Sequence, residues 1–158
     1  MIQTADFKGA ISALLDEAFG VSMATTGEFL DTGKGGLLGS IAALDARTAS
    51  AELHPGEETI ASHCAHLLYD LNLFLAYEQG QAPRPDYPAS WRTHNLDQAA
   101  WKNLRLELQA ACNEVQSRLQ VREVWPKIVI SAWMALLAHI AYHVGVIHKL
   151  RSSLEASS

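Results

Sequence analysis

The residues best suited to chemistry in this sequence are histidines. Seven occur, and His139 and His143 stand four apart inside an apolar stretch. On a helix that spacing sets the two side chains about 40° apart on one face, one turn above the other. Ala132, Leu136, Val146, Ile147 and Leu150 share that face, so the pair is expected to look into a core. Two imidazoles buried there without partners would cost on the order of a few kcal/mol. A divalent metal held through neutral ring nitrogens removes that cost. Two ligands hold such an ion poorly, so a third has to come from elsewhere in the chain. His63 and His66 are the candidates. At about 100° per residue, His66 lies roughly 140° from the middle of the main apolar stripe around it, and His63 roughly 80°. Periodicity therefore favours His63, although Leu73, Ala76 and Tyr77 make the His66 side apolar as well. Spacing alone leaves open a metal site and a set of ordinary histidines bonded to backbone or water.

Other residues could assist. Asp70, four places after His66, could orient its ring through a hydrogen bond, or be an exposed helix carboxylate. Tyr69, Tyr77 and Tyr142 could bring a hydroxyl to the site, and Trp91 could wall it, while Trp101 and Trp133 follow the spacing of core residues. Cys64 and Cys112 are too few for a disulfide framework, lack a C-x-x-C spacing, and are expected to be buried, reduced thiols. Thr32-Gly33-Lys34-Gly35 invites a phosphate-loop reading. The interval from Gly27 to Gly33 is one residue too long, no Ser or Thr follows Lys34, and no strand precedes it.

Four helices are expected to position these groups. Phe7, Ile11, Leu14, Leu15 and Ala18 recur at three and four residues and predict a first helix, continuing bent or broken past Gly20. Five glycines between residues 25 and 39 interrupt it and predict a loop near residues 32–36. Leu37, Leu38, Ile41 and Leu44 suggest a short helical turn before the polar stretch 45–52. His54-Pro55-Gly56 reads as a turn, and Thr59 as the cap of a second helix through Ile60, Cys64, Leu67, Leu68, Leu71, Phe74 and Leu75, ending near Gly80. Pro83, Pro85 and Pro88 predict a crossover loop over residues 81–90. Leu96, Ala100, Trp101, Leu104, Leu108, Ala111, Val115 and Leu119 predict a third helix, with Asn95 and Gln98 as a capping pair. Pro126 at a first helical position opens a fourth, running to about Ser152. No strand alternation and no repeat occur, so the fold class is all-α.

At 158 residues and 49% hydrophobic composition, one domain over residues 1–158 is expected. Seventeen acidic against twelve basic residues give a net charge of −5, which opposes nucleic acid or an anionic membrane as partner. Charges distributed through residues 1–20 leave no signal-peptide core, so a cytoplasmic protein is expected. The densest apolar stretch, residues 128–147, contains two histidines and follows Lys127, which predicts a buried helix rather than a membrane span.

Two stretches resemble one family. Residues 55–67, with Thr59 starting the helix and His66 seven places later, are similar to the second-helix start of DinB/YfiT-like proteins. His139-Ile140-Ala141-Tyr142-His143-Val144-Gly145-Val146-Ile147 resembles the family's H-x-x-x-H-x-G-x-I pattern. Trp91 and Trp101 are similar to the tryptophans often found at its third-helix start. The resemblance follows the order and spacing of essentially the whole chain, with Glu58 and Val146 departing from the residues often found there. It implies a four-helix bundle with crossover connections, and one divalent ion (zinc, nickel, iron or manganese) on His66, His139 and His143, with His63 as the alternative ligand. Three histidines leave positions open for water or substrate, the arrangement of a catalytic site. Some DinB-like enzymes transfer low-molecular-weight thiols to electrophiles, which implies a thiol S-transferase or a hydrolase of small molecules. A non-catalytic metal- or ligand-binding bundle in stress response or detoxification is the other reading. Relatives often dimerise, and an exposed apolar face on a chain so rich in leucine and tryptophan would favour a homodimer.

Overall fold

Apolar residues at helical spacing organise the chain, and the computed structural model describes residues 4–20, 27–31 and 35–157. Among these the structure is all-helical, with seven helices. Four are long: α1 (Thr4–Phe19), α4 (Ile60–Glu78), α6 (Gln98–Val121) and α7 (Lys127–Ala156). Three are short: α2 (Leu37–Ile41), α3 (Ala46–Ala49) and α5 (Tyr87–Ser90). The expected continuation of α1 past Gly20 falls largely on residues 21–26, outside the described residues. Of the expected loop at 32–36, residues 32–34 lie outside them as well, and Gly35 and Gly36 are non-helical.

Each long helix packs against two others: α4 against α6 and α7, and α1 against α7 and α6. Leu15 and Phe19, Leu67 and Leu71, Leu108 and Leu119, and Trp133 and Ile140 carry the core from those four helices in turn. Burying each such side chain contributes about 1.5–3 kcal/mol. Trp101 and Trp133 are fully buried, as their spacing predicted, and the Trp101 indole N–H donates to the Leu44 carbonyl at 2.7 Å. The guanidinium of Arg122 pairs with Glu78, its Nε donating to Oε2 at 3.0 Å, which fastens the end of α6 to the end of α4.

The Gly-rich stretch serves close packing. Gly36 precedes α2, and a Cβ there would lie 2.4 Å from the Glu17 carbonyl oxygen and 2.7 Å from that of Ala18. Only glycine lets α2 begin against the end of α1.

Several boundaries differ from expectation. The polar stretch 45–52 contains α3, capped by the Asp45 carboxylate, and the proline loop closes with α5, capped by Asp86. The cap of α6 is Asp97, whose carboxylate accepts from Ala100 N, rather than an Asn95–Gln98 pair. A carboxylate beside the positive end of the helix is the better acceptor, and Gln98 instead accepts from Ala46 N, tying α6 to α3. Pro126 sits one place before α7 as its cap, and α7 continues to Ala156. By length and composition α7 could cross a membrane, and 28% of its most apolar stretch is buried. The expected buried helix is thus covered on one face, and Ile128, Met134 and Tyr142 project outward from it.

Candidate metal centre

The site is built by α4, α5 and α7. Thr59 and Ser62 form a reciprocal capping box, each side chain accepting from the other's backbone N–H, and this fixes the start of α4. Because α4 lies between α6 and α7, it buries two faces. Leu67 and Leu71 are fully buried, and His63 and His66 are both buried as well. A single-stripe reading of α4 therefore misjudged His66. On α7, Leu136, Ile140, Val144 and Ile147 are buried and carry His143 inward with them, while His139 is partly exposed and Ala132, expected on the buried stripe, is exposed.

The ring nitrogens of His66, His139 and His143 come within 4.8 Å of one another, and these three could hold a metal ion. Their ring centroids are 5.2 Å (His66–His139), 5.0 Å (His66–His143) and 4.5 Å (His139–His143) apart. The Oδ2 atom of Asp70 reaches the same place, 3.0 Å from His66 Nε2 and 2.7 Å from His139 Nε2.

Hydrogen bonds behind the rings set which nitrogen faces inward. The Ser90 hydroxyl donates to the Tyr87 carbonyl at 2.6 Å, so its oxygen is left to accept from His66 Nδ1–H at 2.7 Å. The lone pair of His66 is then on Nε2, facing the Asp70 carboxylate. His63 Nδ1 and His143 Nδ1 lie 2.9 Å apart, a distance that requires one to donate to the other. Trp91 stacks on His66 at 4.0 Å and 17° and meets His63 edge-on at 5.2 Å, forming the wall its position suggested.

Burial holds these rings neutral. It is the largest cause lowering the pKa of His143 to about 3, reinforced by His139, His63 and His66 and opposed by Asp70. Burial likewise lowers His66, against the opposing pull of Asp70, and lowers His63, against Glu58. Neutral imidazoles are the form that binds metals.

The donor set suits a cation. His139 Nε2 is buried and makes no hydrogen bond, although the Asp70 oxygen is 2.7 Å away. A lone pair on His66 Nε2 and an Asp70 carboxylate oxygen at 3.0 Å repel unless a proton or a metal ion lies between them. A divalent ion supplies that positive charge.

Other expected residues sit as follows. Asp70 is largely buried and meets the inward nitrogen of His66, so the ring is oriented from behind by Ser90 instead. The Tyr69 hydroxyl accepts from Asp86 N, the Tyr77 hydroxyl donates to the Pro83 carbonyl, and Tyr142 is exposed. Cys64 and Cys112 are free, buried thiols. Sequence reasoning missed Ser90, whose signal was a serine at the close of the proline loop next to Trp91, and Tyr87 beside it.

No family model, curated protein or solved structure matches this chain.

Proposed function

We propose that α1, α4, α6 and α7 form a four-helix bundle of the DinB/YfiT-like kind, with one divalent ion held by His66, His139 and His143. In this reading the protein is an enzyme that joins a small thiol, or water, to a small electrophile. The observation that carries it is the meeting of three ring nitrogens from two helices, with the Asp70 carboxylate against two of them. When bound, the ion supplies Lewis acidity that lowers the pKa of a thiol or water sharing it. The chain supplies the rest. Ser90 holds His66 by Nδ1 and His63 holds His143 by Nδ1, so both rings are fixed before anything binds. Trp91 shields one side from water, and the partly exposed His139 leaves the other side open. Asp70 can take a proton from an arriving thiol or water, since its carboxylate already touches two of the three rings. Cys64 and Cys112 are buried, so the nucleophile comes from outside the chain.

The test uses untagged protein purified and analysed for metal. Binding of about one equivalent of nickel, zinc or manganese is expected, with His143→Ala losing more than about a hundredfold in affinity while its circular dichroism is unchanged. Thiol-dependent turnover of a generic electrophile, absent in His143→Ala, is the expected activity. No metal uptake by the wild type would refute the site, and uptake without turnover would reduce the protein to a metal-binding bundle.

A further inference from the structure

A cleft of about 330 Å³ opens between α4 and α7, with Asp70 and His139 at one end. Leu73, Phe74 and Leu136 line its interior, and the exposed Tyr77 and Tyr87 stand at its rim. On the α7 side the wall is low, because Ala132 and Ala135 occupy positions where larger side chains would fill the space. Among the described residues no lysine or arginine lines the cleft, and the carboxylate in its lining is that of Asp70. A larger groove of about 460 Å³ between α4 and α6, lined by Leu68, Asn72 and Asn103, includes none of the metal donors.

We infer that this cleft receives the uncharged aryl or branched-alkyl arm of a small molecule whose head group sits at the His139–Asp70 end. The inference rests on the metal reading above and adds the substrate class. Its volume lies at the lower end of small-molecule sites, enough for one ring or a short branched chain. Its walls reward apolar surface. An arm bearing a carboxylate or phosphate would bring its charge against Leu73, Phe74 and Leu136, with no lysine or arginine among the described lining residues to balance it. Apolar walls ending on two candidate donor groups are what a molecule with a polar head and a greasy tail requires.

The experiment loads the protein with cobalt(II) and titrates it with benzyl mercaptan, 2-mercaptoethanol and 3-mercaptopropionate, following thiolate-to-cobalt absorption. Benzyl mercaptan is expected to bind at least about tenfold tighter than 2-mercaptoethanol, the gain from covering part of a phenyl ring, and 3-mercaptopropionate to bind no better than 2-mercaptoethanol. Ala135→Trp fills the cleft from an exposed helix position. It is expected to abolish the benzyl preference while cobalt and 2-mercaptoethanol bind as in the wild type. Equal affinities for the three thiols, or a benzyl preference that survives Ala135→Trp, would overturn the inference while leaving the metal reading intact. Dissociation of a wild-type dimer by Ala135→Trp in sedimentation would overturn it too, by showing that a second copy fills the cleft. Failure to take up cobalt would overturn the metal reading, and this inference with it.

Discussion

Ser90 is the residue through which the metal reading can be probed without touching a ligand. Its oxygen accepts from His66 Nδ1–H and thereby points Nε2 inward. Ser90→Ala is expected to weaken metal binding about 10–100-fold, measured by competition with a chelator, at unchanged helicity. Metal affinity equal to that of the wild type would show that the His66 ring needs no such support. At the same scale, burial raises the pKa of both thiols, that of Cys112 to about 12 and that of Cys64 further. Neither should react with thiol reagents in folded protein at pH 8. The sign of the linkage follows: above the ordinary value of 9.0 the unfolded chain loses these protons while the folded chain keeps them, so stability falls as pH rises. Between pH 9 and about 10.5, urea unfolding of the wild type should lose up to about 1.4 kcal/mol per pH unit more than Cys112→Ala. Parallel slopes for the two proteins would mean that the thiol ionises in the fold. The histidine pair on α7 was legible because a four-residue interval on an apolar face has one geometric meaning. The choice between His63 and His66 was not, because a hydrophobic stripe reports one buried face and α4 has two. Ser90 and the central position of Asp70 were invisible, since contacts between helices leave no periodic trace.

At the scale of elements, the long helices could be read from spacing and caps, and Thr59 caps α4 as its hydroxyl suggested. The errors came where two polar residues competed for one helix start, as with Asn95 and Asp97, or where a segment too short for periodicity was held by its cap, as in α3 and α5. The glycines separate two roles. Gly36 meets backbone oxygens of α1 where a Cβ would go, so Gly36→Ala should destabilise by about 1–3 kcal/mol, with the change in denaturant midpoint as the readout. Gly145 lies within α7, and a Cβ added to it would meet nothing within 4 Å, so Gly145→Ala should stabilise by up to about 1 kcal/mol, and a loss instead would show that the position is needed bare.

For the molecule as a whole, the helical content of the fold was legible from composition and periodicity, but the uncovered apolar side of α7 was not. Ile128 and Met134 look the same in sequence as the core residues Trp133 and Ile140, and the packing of α1, α2 and α4 against α7 distinguishes them. That same packing brings α4 and α7 together at His66, His139 and His143, and the central claim is that an ion joins them. X-ray absorption at the zinc edge of zinc-loaded protein tests it most directly, because the spectrum counts imidazoles. Three imidazole nitrogens at about 2.0–2.1 Å are predicted, falling to two in His66→Ala. A spectrum with fewer than three in the wild type, or one that His66→Ala leaves unchanged, would contradict the account.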